Sequence, residues 1–231
     1  LGAECLRTYP LAPANGRDRR EAAAADLRAA APRAAAAGVT LLLENHEDLT
    51  ATEVAEVLAA VDHESVRALF DYGNSAIFFE EPEESVRVLG RYSRSAHLKD
   101  HVALPAGAAG WAKPRWLGVP LGEGNLPIVA MTQALQAAGL ARVCFENCWA
   151  DDTSFQDRRG HGVFGEQTLA FRGPPDEPRV GLPPSGGAIG LAANDLAEME
   201  AAVMRGSMRW LERALRDAGI ALERPLRLPA D

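Results

Sequence analysis

The chain has 231 residues, 47% of them hydrophobic, and a formal net charge of −8. That apolar content is enough for a real core and excludes global disorder, while the negative balance opposes binding to a polyanion such as DNA, which needs clustered Lys and Arg. Three cysteines give no disulfide framework and fit a reducing cytoplasm, and no stretch approaches the 18 apolar residues of a membrane span.

Strand-like and helical stretches then alternate. Residues 1–7 are a short apolar run, followed by a turn at 10–16. Residues 18–37 are Ala-rich and helical, with Pro32 expected to kink or break the helix and Gly38 placed to end it. Residues 39–44 form a continuous apolar run ending in Glu44, the pattern of a buried parallel strand. Thr50 and Glu53 make a capping box opening a helix to about 62. A strand follows at 66–70, then a helix at 82–89, with Glu80, Glu81, Glu83 and Glu84 suited to its N-terminal dipole. Residues 93–98 are the next strand. Asn125 is the expected cap of a helix reaching about 138, stopped by Gly139. Residues 142–145 are the fifth strand, and Cys144 and Cys148 read as small buried hydrophobes. Residues 149–193 are rich in Gly, Pro, Asp and Arg without periodicity and read as a long loop or lid. An amphipathic helix at 194–218, capped by Asn194, carries Leu196, Met199, Val203, Trp210, Leu211 and Leu215 on its apolar face. Strands alternating with helices imply βαβ units and a parallel sheet. The pattern alone leaves a doubly wound sheet and a barrel both open, but no GxGxxG follows a strand, so a dinucleotide-binding version has no support.

Four ligand-type side chains stand in phase. Glu44, Asp71, His97 and Glu146 each lie at the C-terminal end of one of four consecutive predicted strands, and that edge of a parallel α/β sheet is its active-site edge. A carboxylate there is costly unless it is paired or coordinates an ion. Any one of the four would be an ordinary strand-end polar group. Three carboxylates and one imidazole in phase point to one divalent metal ion, of the Mn²⁺, Mg²⁺, Co²⁺ or Zn²⁺ type. The two-residue period of a strand sets His46 beside Glu44 and Lys99 beside His97, which makes both candidates for contact with substrate hydroxyl, carboxylate or phosphate groups. His63 and His101 are expected nearer the solvated surface, and His161 reaches the site only if its Gly-rich loop folds over it.

In Glu44-Asn45-His46, Asp71-Tyr72-Gly73-Asn74, His97-Leu98-Lys99-Asp100, Leu121-Gly122-Glu123-Gly124 and Phe145-Glu146 the chain resembles the xylose isomerase-like barrel superfamily of sugar isomerases and epimerases. The resemblance covers roughly residues 1–150 plus the terminal helix. It implies an α/β fold of (β/α)8 TIM-barrel type, incomplete and N-terminally truncated. Five parallel strands with flanking helices would be family strands four to eight of one partial-barrel domain over 1–231, open between its first and last strands. It also implies that Glu44 and Glu146, on opposite sides of a metal-held hydroxy-ketone, move the proton through an enediolate. Asn74, three residues after the aspartate, stands where many family epimerases carry His, and is a further substrate-binding candidate. The implied function is a metal-dependent isomerase or epimerase of a ketose or related polyol, in the cytoplasm. Relatives with the same quartet perform dehydration, decarboxylation or C-glycoside cleavage. A lyase acting on a keto-sugar or keto-inositol, with His46 or Lys99 as the extra acid or base, is therefore the alternative, and an inactive fragment is the third. The related abasic-site endonucleases need more histidines, and Asn74 stands at one of those positions. The expected partner is a small sugar or polyol, with no nucleic acid and no membrane; a homo-oligomer is left open.

Overall fold

The computed structural model describes residues 2–10, 18–108, 111–149, 151–172 and 193–223. In chain order these contain β1 (Cys5–Thr8), α1 (Arg19–Ala36), β2 (Thr40–Glu44), α2 (Ala51–Val61), β3 (Val66–Asp71), α3 (Pro82–Leu89), β4 (Ser93–Leu98), β5 (Asp100–Leu104), β6 (Arg115–Val119), α4 (Ile128–Ala137), β7 (Val143–Phe145), β8 (Asp152–Ser154) and α5 (Ala193–Asp217). None of these helices is long and apolar enough to cross a membrane.

The apolar runs do what their lack of alternation requires and pair in parallel. They form one five-stranded sheet, β1-β2-β3-β4-β7, curled into a half-barrel with helices along its outside. This is an incomplete (β/α)8 barrel, and among the described residues β1 and β7 are its edges. The pleat divides each strand between two faces. Leu41, Leu43, Ala68, Phe70, Ala96 and Leu98 join Leu27, Val54, Leu58, Ile128 and Leu135 of the helices in the main core. The alternate residues, Leu42, Glu44, Leu69, Asp71 and His97, are left for the inner face. Register matters here. Between Ala68 and Leu69 the partners jump from Ser93 to Ser95, so that Asp71 pairs with His97. Without that irregularity Ala96 would oppose Asp71, and His97 would turn to the helix side.

Several local expectations are corrected. Pro32 neither breaks nor ends α1, which runs through it. Pro32 and Arg28 lie on the exposed face, so the Arg28 carbonyl that Pro32 leaves unbonded is on the solvent side. Asn125 does not cap α4, which starts at Ile128 after Pro127. Its amide instead donates to the carbonyls of Thr168 and Ala170 at 2.9 and 2.7 Å. The Thr50–Glu53 capping box is present as expected, and Glu80, which takes a long 3.4 Å bond from the Ser85 hydroxyl of α3, bonds more closely to α2. It is buried, and its carboxylate accepts from the N–H groups of Ala51 and Thr52 (2.7 and 3.1 Å) and from the Thr52 hydroxyl (2.7 Å), so it serves the first turn of α2. Glu80→Gln keeps one oxygen acceptor and loses the charge at that dipole. The expected cost is about 0.5–2 kcal/mol of unfolding free energy, read from urea denaturation.

A second, antiparallel sheet, β5-β6-β8, was not anticipated. β5 begins one residue after β4 ends, and the two read in sequence as one strand and its loop. The part of residues 149–193 that is described is packed rather than loose. β8 pairs with β6, and Phe155 and Phe164 stack around Phe79 at 5.5 and 4.9 Å. Residues 173–192 of the expected lid lie outside the described residues, as do the side chains of Asn194 and Leu196. Further along α5, Val203, Leu211 and Leu215 are buried.

Candidate metal and substrate site

The chemistry-bearing side chains collect at the C-terminal edge of the parallel sheet. Glu44 closes β2, Asp71 closes β3 and His97 is the last but one residue of β4. Glu146 follows β7, its N–H bonded to the Leu98 carbonyl at 2.9 Å. His97 Nδ1 lies 2.9 Å from Glu44 Oε1, 3.6 Å from Glu146 Oε2 and 4.0 Å from Asp71 Oδ2. Glu44, Asp71 and His97 each offer a donor atom within 4.8 Å of the others. Three of the four predicted ligands, Glu44, Asp71 and His97, therefore group together, and Glu146 approaches them through His97. Glu44 and Asp71 are fully buried, whereas the His97 and Glu146 side chains are 14% and 37% exposed and form the mouth.

Two cations stand among these acids. Arg7 Nε donates to Glu44 Oε2 at 2.5 Å. Lys99 Nζ lies 2.9 Å from Asp71 Oδ2 and 2.7 Å from Glu146 Oε2. Burial pushes the Glu44 carboxyl up, but the His97 ring and Arg7 guanidinium outweigh it and hold the group below the usual carboxylate range. Glu146 is likewise pushed up by burial and brought below its ordinary value by Lys99 and His97. Asp71 goes the other way: complete burial raises it, Lys99 opposes, and the charges of Glu44 and Glu146 add to the rise. Burial pushes the Lys99 pKa down, yet Asp71 and Glu146 together outweigh it, raise the pKa and keep the group an ammonium.

A bound divalent ion fits this donor set. Asp71 Oδ1 already accepts from the N–H groups of Gly73 and Asn74 at 2.9 and 2.8 Å, which leaves Oδ2 facing the site. Asp71 Oδ2 and Glu146 Oε2 are both buried oxygens that face the Lys99 ammonium, at 2.9 and 2.7 Å, and accept no other hydrogen bond among the described residues. Two such oxygens, Glu44 Oε1 and one imidazole nitrogen are hard and borderline donors, matching Mn²⁺, Mg²⁺, Co²⁺ or Zn²⁺.

The predicted substrate contacts divide. His46 is partly exposed beside Glu44, stacks on Tyr9 at 5.0 Å between ring centroids, and its Nδ1 has no hydrogen-bond partner. Asn74 is buried, with Oδ1 3.4 Å from Lys99 Nζ. Lys99 faces the carboxylates rather than open space. His161 stays out of the site, its side chain 90% exposed near Glu84. His101 is a correction: it is buried, stacked 5.2 Å from Trp116, and burial holds its pKa well below the ordinary value, so the ring is neutral. Cys144 is exposed rather than buried, and Cys148 is partly buried, its thiol pushed up to about 12 by burial and therefore inert as a nucleophile.

Sequence reasoning missed three supports. Arg7 pairs in register with Leu42, so it shares the face of Leu42 and Glu44; strand parity was the available signal. Buried Asn45 donates to the Asp71 carbonyl at 2.9 Å and accepts from the Asp71 N–H at 2.7 Å, which locks the ends of β2 and β3 together. Asp100 accepts from the N–H groups of Gly122 and Gly124 (2.9 Å each), His101 (2.9 Å) and Leu126 (3.2 Å). Burial still pushes it up to about 6. It is the anchor of the Leu121-Gly122-Glu123-Gly124 turn, in which Gly122 has φ +87°.

Comparison with known proteins places this geometry. YihM of Escherichia coli K12, an uncharacterized protein, is 27% identical over 141 residues, which cover 60% of this chain and 41% of YihM. Among solved structures, a xylose isomerase-like TIM-barrel protein from Mycobacterium smegmatis in complex with magnesium superposes with a TM-score of 0.53. It is 22% identical and the match covers 65% of this chain and 56% of that one. D-psicose 3-epimerase with D-tagatose, from Clostridium cellulolyticum H10, gives a TM-score of 0.50 at 20% identity, over 87% of this chain and 60% of that one. This chain thus spans less than two thirds of the length of each of these proteins. The family model for the xylose isomerase-like TIM barrel matches residues 1–167, the stretch holding all four predicted ligands, and the chain belongs to that family.

Proposed function

We propose that the protein is a divalent-metal-dependent isomerase or epimerase of a ketose or related polyol, with Glu44, Asp71, His97 and Glu146 as the ion's ligands. The observation that carries this reading is the grouping of Glu44, Asp71 and His97, whose donor atoms lie within 4.8 Å of one another, with Glu146 Oε2 3.6 Å from His97 Nδ1. When bound, the ion supplies Lewis-acid stabilisation of negative charge on the substrate oxygens. Glu44 and Glu146 are both held ionised at neutral pH. One takes the proton from the carbon beside the carbonyl, and the other returns a proton to it from the opposite side. Arg7 keeps Glu44 aimed by holding its second oxygen. His46, Asn74 and Lys99 are assigned to substrate hydroxyls, with His46 best exposed for it. A cytoplasmic setting is part of the same reading.

A lyase on a keto-sugar or keto-inositol is the second reading, and the part-exposed side chain of His46, 32% accessible, is its candidate for protonating a departing hydroxyl. Both readings require a proton to leave carbon. Incubating the chain with Mn²⁺, a panel of ketoses and 3-keto sugars in D₂O, followed by NMR, is expected to show deuterium entering the carbon beside the carbonyl. Retention of all substrate atoms identifies isomerase or epimerase, and loss of water or a side group identifies lyase. Calorimetry with Mn²⁺ showing no uptake, together with no exchange, would leave the inactive reading.

A further inference from the structure

Lys99 is placed where a cation is wanted. Its ammonium sits within 2.9 Å of Asp71 Oδ2 and 2.7 Å of Glu146 Oε2, and its side chain is 10% exposed. Those are the two oxygens that the other donors of the site leave without a partner. Asp71 has no second oxygen to offer, because Oδ1 is taken by two backbone N–H groups. Arg7 differs in this respect. It holds Glu44 through Oε2 and leaves Oε1 toward His97, so it can stay in place when an ion binds.

We propose that Lys99 is the built-in cation of the metal-free site, holding Asp71 and Glu146 together until a divalent ion displaces its ammonium from them. The inference rests on the metal reading above. Three carboxylates close together repel one another and resist burial, and an internal ammonium offsets both effects without any ligand. An ion bound through Asp71 Oδ2 meets that ammonium as a like charge competing for the same oxygen. Asn74 Oδ1, 3.4 Å from Nζ, is the neutral acceptor left to Lys99 once the carboxylates pass to the ion. The displaced ammonium then lies beside the substrate rather than under it, which is how one residue can serve both states.

The test is Lys99→Met, read by calorimetric titration with Mn²⁺ and by the melting temperature of the metal-free chain. Removing the competitor is expected to tighten Mn²⁺ binding by about tenfold or more, while the metal-free variant melts several degrees lower and recovers when Mn²⁺ is added. A merely structural lysine would lower the melting temperature without tightening the ion. If the metal-free variant does not fold, crystal structures of the unsubstituted chain with and without Mn²⁺ decide. Nζ is expected to leave hydrogen-bonding distance of Asp71 Oδ2 only in the loaded form. Equal Mn²⁺ affinity in both chains, or an ammonium unmoved by the ion, overturns the inference and leaves the metal reading intact. No Mn²⁺ binding to either chain overturns both.

Discussion

Glu146→Gln is expected to lower turnover by at least about 10²-fold while the chain still takes up part of its divalent ion. The amide keeps an oxygen for the ion and removes the group that carries the proton. Glu146 is the cleaner of the two glutamates to test, since it is the more exposed, and Glu44 also carries the Arg7 guanidinium. Its loss of charge also weakens one of the two carboxylate contacts of Lys99. Glu44→Gln is expected to show the same loss in turnover with a further loss in stability, because Arg7 and His97 both lean on that carboxylate inside the sheet. The measurement is the rate of deuterium entry into a saturating ketose, with Mn²⁺ affinity titrated alongside to separate proton transfer from ion loss. Full activity in Glu146→Gln would exclude proton transfer by the two glutamates and move attention to His46.

Gly118→Ala should cost about 3 kcal/mol or more, the upper end of overpacking penalties. Gly118 lies on β6, and a Cβ there would fall 1.8 Å from the Cys148 carbonyl oxygen and 2.7 Å from its carbon. Both are backbone atoms, so no rotamer change relieves the overlap and one segment has to move. The segment carrying Cys148 begins at Glu146, and Gly118 itself donates to the Asp151 carbonyl at 2.8 Å. Displacement would therefore reach Glu146, the candidate ligand that follows β7. The expected result is a lower urea midpoint together with weaker Mn²⁺ binding. A variant with unchanged stability and affinity would show that the antiparallel sheet does not support the site.

Why was β2 legible in the sequence? A strand buried on both faces of a parallel sheet needs no polar alternation, so Leu41-Leu42-Leu43 stands out as an unbroken apolar run, and Ala68-Leu69-Phe70 of β3 repeats it after Arg67. Each ends in a carboxylate that apolar surroundings do not explain, whereas the more polar β4 lacks that signal. The capping box at Thr50 is equally local: four residues carry both hydrogen bonds. From such patterns the amino-acid order by itself determined the βαβ alternation and the strand ends on which Glu44, Asp71, His97 and Glu146 stand. It did not determine their distances. Those depend on the slipped register beyond Ala68 and on Asn45 tying β2 to β3, neither of which leaves a periodic trace. The β5-β6-β8 sheet also lay hidden, since its strands are short and find their partners across 11 or more residues. The tertiary structure alone decided that Arg7 sits on Glu44, that Glu80 bonds more closely to α2 than to the neighbouring α3, and that His101 is buried against Trp116. It decided too that Lys99 turns from open space to two carboxylates. In each of these the partner is distant in the chain, and a charge or a ring takes the environment that packing brings to it, which nearest neighbours in sequence do not encode.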